Sequence, residues 1–278
     1  MLIIGIFATV ALAFFGVLYS LLGYNMNFRN RLIERITKTA TDANMKKENL
    51  LKGKRLYIER ENLRPVRVNL YQPQSDKKLP VVFMAHGGSF IDHDADDIDD
   101  FCQMLSEEWQ VNVVSTSYSK IKAHVTSYPQ DEIRDVVVYF RRHAVEYNMD
   151  MKHFLLMGFE AGAYLSLIAD RSLIHAAIVP SGIIMIDPFI DYVAVSFAQA
   201  GLHPNPAALV LSGTDTDAAD EYEFELRQAD IYILTRRMPH SQKGLLLQKE
   251  FANETDRMNY DNTMKWLKET ADLFLGRQ

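Results

Sequence analysis

The tightest constraint in this sequence is Gly158-Phe159-Glu160-Ala161-Gly162, a pentapeptide with glycines at both flanks of its centre. Before it, His153-Phe154-Leu155-Leu156-Met157 is a short apolar run of strand length, and after it Ala161 to Ala169 has the small and apolar spacing of a buried helix. A strand that turns at once into a helix leaves no room for side chains beside the turn, and this is the frame of a nucleophile elbow. The centre of an elbow is ordinarily a serine on a strained turn; here it is Glu160. A tight strand-to-helix turn without chemistry fits the same frame, so partners elsewhere in the chain must decide.

Upstream, Leu79 to Ala85 is a continuous apolar strand running into His86-Gly87-Gly88-Ser89-Phe90. Glycines at such a strand end let backbone amides face an open cleft, the construction of an oxyanion hole. Downstream, Ala207 to Ser212 is another buried strand, followed by Gly213-Thr214-Asp215. Ile231 to Thr235 reads as a further strand, followed by Met238-Pro239-His240. The chain order is therefore glycine pair, nucleophile position, acid, histidine, which is the order of one triad lineage and not of the others.

On these residues the chain from about Pro65 onward resembles the α/β-hydrolase superfamily, in its hormone-sensitive-lipase-like esterase branch. Further echoes are Val66 to Pro73 ahead of the histidine-glycine-glycine segment, Ser117-Tyr118 after the next strand, and Tyr128-Pro129 with Asp135 before the elbow. The resemblance implies a mostly parallel central sheet flanked by helices. It implies an oxyanion hole of Gly87, Gly88 and the amide of Ala161, with Asp215 as orienting acid, His240 as general base, and Ser89 and Phe90 on the substrate side. The sequence departs from the pattern at Glu160, and at Ser89, which replaces the usual third glycine. A short cap is expected over about 181–206, where this branch often inserts a larger lid.

Alternating strand and helix patterns from about Leu56 independently favour an α/β fold, with Arg55 to Arg60 and Val66 to Tyr71 pairing as an antiparallel edge and residues 54–278 forming one domain. At 278 residues and 48% hydrophobic, the chain can bury a large single core. A formal charge of -6 argues against a nucleic-acid surface. The single cysteine, Cys102, excludes an internal disulfide framework and reads as a buried structural thiol. Asp92 to Asp100 is rich in acids and could hold a divalent cation, but acids in the first turn of a helix are the simpler reading, so neither metal nor other cofactor is expected.

Met1 to Tyr24 carries no charged side chain, and at about 1.5 Å per helical residue it is long enough to cross a bilayer. A cleaved signal or a buried first helix would also be apolar, but a signal would show a basic start and a shorter core. A single transmembrane anchor over 1–24 is expected, followed by a basic linker or helix over 25–53. Arg29, Arg31, Arg35, Lys38, Lys46, Lys47, Lys52, Lys54 and Arg55 follow the span and no Lys or Arg precedes it, so the hydrolase-like domain is expected on the cytoplasmic side.

A carboxylate at the elbow has no proton to give, and its attack on an ester would yield a mixed anhydride. Glu160 is expected to reach the amides of Gly88 and Ala161 and to pair with His240, which would fill the oxyanion hole with its own charge. Three outcomes stay open, and the first two are a pseudo-hydrolase that binds an ester-like small molecule or a protein partner, and a hydrolase that uses Glu160 as carboxylate nucleophile or general base with His240 and Asp215. A purely structural role for the domain is the third.

Overall fold

The structure is a computed structural model that describes residues 46–120, 129–188, 205–213, 220, 223–224, 227 and 232–277. The expected anchor (1–24), most of the basic linker, much of the expected cap and Asp215 lie outside the described residues. Among the described residues no helix is long and apolar enough to cross a membrane.

Eight strands form one sheet: β1 (Lys54–Arg60), β2 (Leu63–Tyr71), β3 (Leu79–Ala85), β4 (Asn112–Ser117), β5 (Met149–Phe159), β6 (Gly182–Ile186), β7 (Ala207–Ser212) and β8 (Ile233–Met238). Their spatial order is β1-β2-β4-β3-β5-β6-β7-β8. The pairs β1/β2 and β2/β4 are antiparallel and every other pair is parallel. The antiparallel edge expected from the first two strands is therefore present. The central strands are apolar on both faces because helices cover both, which is why they read as continuous runs and do not alternate.

One face packs under α2 (Pro129–Arg142) and α3 (Ala161–His175), with Val136, Val137, Phe140, Ala163, Leu167 and Leu173 among the buried residues. The other packs under α1 (Asp99–Trp109) and α4 (Glu254–Phe274), through Phe101, Leu105, Trp109, Leu267 and Ala271. Cys102 is a free thiol wholly buried in this second layer.

One expected boundary is corrected. The cap was expected from about residue 181, but Gly182–Ile186 is a central strand, buried at every position and paired with both β5 and β7. Five apolar residues suffice to cross a sheet buried on both faces, and a run that short carries no periodicity to distinguish it from a loop. The last strand is also displaced, running Ile233–Met238 where Ile231 to Thr235 was expected.

Candidate active site

The elbow forms as its sequence requires. β5 ends at Phe159, Glu160 takes φ 45° and ψ -111°, and α3 begins at Ala161. A non-glycine residue at such a positive φ costs of order 1–3 kcal/mol and persists only where its surroundings enforce it. Here the Glu160 amide is held by the Ile186 carbonyl at 2.8 Å, and its own carbonyl accepts from Tyr164. A Cβ at Gly158 would lie 2.4 Å from the carbonyl carbon and oxygen of Gly162, and one at Gly162 would lie 2.3 Å from the carbonyl oxygens of Ala85 and His86. Both contacts are to backbone, so neither can give way without moving a strand or the helix. Gly162→Ala is expected to lose about 3 kcal/mol or more of stability, read from urea unfolding; a loss below 1 kcal/mol would mean that the turn relaxes freely.

Glu160 is half-buried and aims its carboxylate at the glycine segment after β3. Its Oε2 accepts a hydrogen bond from the Gly88 amide at 3.2 Å, and a Cβ on Gly87 would come within 3.1 Å of the same oxygen. The carboxylate therefore occupies one of the expected oxyanion donors. Ala161, whose amide was another expected donor with Gly87 and Gly88, is buried at the first position of α3. Ser89 and Phe90 follow at φ 51° and 66°, and the Phe90 ring meets Tyr164 edge-on at 5.8 Å between centroids.

Of the remaining expected members, His240 alone is among the described residues. His240 lies on the exposed turn after β8, at φ 63°, and no ion pair joins it to Glu160. Asp215 lies outside the described residues; the end of β7 is held by Asp187, a buried acid just after β6 that sequence reasoning missed. Asp187 accepts from the Ser212 amide at 2.7 Å and from its hydroxyl at 2.9 Å. Burial raises the pKa of Asp187, although the Ser212 hydrogen bonds oppose the shift.

Two groups near Glu160 have their pKa raised. His93 is largely exposed, with Nδ1 3.3 Å from the Asp97 carboxylate. The Asp97 hydrogen bond, with the charges of Asp97, Asp92 and Glu160, raises its pKa. Tyr118 donates to the His86 carbonyl at 2.8 Å and to that of Gly87 at 3.2 Å. Burial first, then the charge of Glu160, raises its pKa, so it remains a donor at ordinary pH.

The acid-rich stretch is largely an ionic seam. Asp94 caps a short 3-10 turn over Ala95–Ile98 in a capping box with Asp97, and α1 follows directly. Asp94 and Asp96 are wholly buried and are met by Arg67, while Asp96 also meets Arg55 at 2.7 Å. Asp99, equally buried, accepts from the Tyr71 hydroxyl at 2.9 Å and pairs with Lys46 at 3.0 Å. The reading of this stretch as simple first-turn acids is corrected for its buried members: Arg67 and Arg55 neutralise Asp94 and Asp96, and Lys46 pairs with Asp99, because carboxylates buried this deeply require paired charge. Among the described residues no group of three or more His, Cys, Asp or Glu is placed to hold a metal ion.

Comparison with known proteins bears on the fold and on the central segment. The BD-FAE family model matches residues 68–176, the segment that carries the glycine pair and the elbow. An esterase of Gibberella moniliformis is 26% identical over 105 residues, covering 37% of this chain and 33% of that protein. An acetyl esterase of Salmonella schwarzengrund is 32% identical over 104 residues, covering 37% of this chain and 31% of that protein. The chain thus matches only about a third of the length of these curated relatives. Among solved structures, a bacterial heroin esterase superposes with a TM-score of 0.69 at 17% identity, over 90% of this chain and 91% of that one. An esterase of Pyrobaculum calidifontis gives 0.68 at 15% identity, over 88% and 93%. The chain has the α/β-hydrolase fold, and its central segment is similar to esterases.

Proposed function

We propose that this chain is a membrane-tethered pseudo-hydrolase of the esterase type, whose cleft binds an ester-like small molecule or whose surface binds a protein partner. The observation that carries the reading is the hydrogen bond from the Gly88 amide to Glu160 Oε2 at 3.2 Å. An oxyanion hole works by meeting negative charge that develops in the transition state. Here a resident carboxylate already takes up a donor, and it also replaces the hydroxyl that would attack. Asp215 and His240 keep their places in the chain order and belong to the cleft in this reading.

A second reading has one observation in its favour: Glu160 keeps the strained backbone that presents a nucleophile. A carboxylate so presented could attack an epoxide or haloalkane carbon, or act as general base for water. The test is a panel of short-chain aryl esters, epoxides and haloalkanes given to the native chain and to its His240→Ala variant. Equal, background rates on all three classes are expected. Turnover of any class by the native chain, lost in Glu160→Ala, would replace the pseudo-hydrolase reading with the second one.

The tether is proposed on sequence grounds, from the uncharged stretch Met1 to Tyr24 and the basic residues after it. The full-length chain is expected to sediment with membranes and to resist alkaline extraction. Uncleaved chain in the soluble fraction would contradict it.

A further inference from the structure

We propose that Lys120 is a positioning residue for the oxyanion peptide, clamping Gly87–Gly88 through the ring of His86. This extends the reading of that peptide as the oxyanion hole, and the geometry is a chain of donors. The Nδ1 of His86 is 2.7 Å from the Gly87 carbonyl oxygen. A carbonyl can only accept, so Nδ1 carries the proton and Nε2 presents its lone pair. Lys120 Nζ lies 3.2 Å from that Nε2, where it donates. The imidazole is completely buried and stacks on Tyr118, with 4.1 Å between ring centroids and 3° between planes. Lys120 Nζ also lies 5.3 Å from the centre of the Tyr118 ring.

The Gly87 carbonyl is therefore held by two donors, His86 Nδ1 and the Tyr118 hydroxyl at 3.2 Å. Fixing that carbonyl fixes the rigid peptide plane it shares with the Gly88 amide, and so aims the amide at Glu160 Oε2. Without a donor at Nε2, that buried nitrogen is left unpaired and the ring loses the contact that holds it against the carbonyl.

The clamp is titratable. Lys120 is 8% exposed, and burial is the main cause that lowers its pKa, to about 8. The carboxylates of Asp94, Asp97 and Asp92 oppose the shift, and the Arg67 guanidinium assists it. His86 is itself kept neutral by burial and by the Lys120 charge, with His93 and Arg67 adding to the effect. An ammonium donates a stronger hydrogen bond than an amine, so the clamp is tight at neutral pH and slackens in mild alkali.

The test uses the full-length chain in detergent, labelled with 15N-histidine and 15N-glycine, and requires no turnover. Native His86 is expected to show a protonated Nδ1 and a bare Nε2, and the Gly88 amide to shift in one step with a midpoint near 8. Lys120→Met should shift the His86 Nε2 and Gly88 amide signals at neutral pH and abolish the step. Lys120→Arg should keep the tautomer and also lose the step, because a guanidinium does not titrate there. A native His86 with a protonated Nε2 would overturn the proposal. So would a Lys120→Met chain whose His86 Nε2 and Gly88 amide signals are unchanged. Neither result would bear on whether the protein is a pseudo-hydrolase, which is decided by the ester panel.

Discussion

Glu160→Ser is expected to create an esterase: hydrolysis of a short-chain aryl ester should rise on the order of 100-fold or more above the native chain, the scale on which oxyanion donors act. The substitution makes two changes at once. It removes the carboxylate that accepts from the Gly88 amide at 3.2 Å, and it places a hydroxyl on a turn already strained at φ 45°. The elbow glycines and the buried glycine segment are unaffected by the exchange, so the backbone that presents the residue should persist. Glu160→Gln separates the two changes, because it neutralises the site while leaving the donor covered, and no gain is expected from it. Adding His240→Ala to Glu160→Ser should return the rate to background if His240 supplies the base. A serine variant that folds with the native unfolding profile yet stays at the native rate would show that the histidine does not reach the cleft. A native chain that outpaces His240→Ala on esters would refute the pseudo-hydrolase reading directly.

Asp96→Ala is expected to destabilise the fold by about 3–5 kcal/mol, the usual cost of removing one partner from a buried ion pair. Asp96 is wholly buried, and its oxygens accept from Asn69 at 2.7 Å, from Arg55 at 2.7 Å, from the Lys46 amide at 2.9 Å and from Arg67 at 3.1 Å. The substitution takes from Arg55 its carboxylate partner and leaves Arg67 with Asp94 alone, beneath the turn that leads into α1. For a domain of this size such a loss lowers the melting temperature by about 10 °C. Asp96→Asn, which keeps an acceptor, should lose less. Burial alone would raise the pKa of Asp96, but the Asn69 hydrogen bond and the charges of Arg67 and Arg55 outweigh it and leave the pKa lowered. A depressed carboxylate contributes stability above its unfolded value of 3.8, and that contribution is lost as pH falls through the folded value. The native chain should therefore lose stability in acid over a window that Asp96→Ala lacks. A loss below 1 kcal/mol with an unchanged acid limb would mean that the seam is solvated and does not support the fold.

The seam illustrates how far sequence reasoning reached. Asp92 to Asp100 gave a helix start, and one is there, capped by Asp94. Its arginine partners, Arg55 and Arg67, lie on strands 41 and 29 residues from Asp96, and no local pattern links such positions. Asp187 was missed for the same reason: β6 is five residues long, and a single acid at its end has no signature until Ser212 is folded against it. The signal for His86 and Tyr118 was present in the histidine-glycine-glycine segment and in Ser117-Tyr118, but their stacking could not be read from it. Lys120 carried no signal at all.

What the sequence by itself determined was whatever depends on sterics between near neighbours and on the order of elements. The two glycines around Phe159, Glu160 and Ala161 are compatible with only one kind of turn, and continuous apolar runs of strand length belong in a sheet covered on both faces. Tertiary structure alone decided where the charges went. Whether Glu160 would cover the Gly88 amide, whether an acid would be buried or solvated, and whether a lysine would lose water beside a neutral histidine each depend on which strands become neighbours. The cost of burying a charge is set by groups distant in sequence, and only the folded chain brings those groups within a few ångströms of one another.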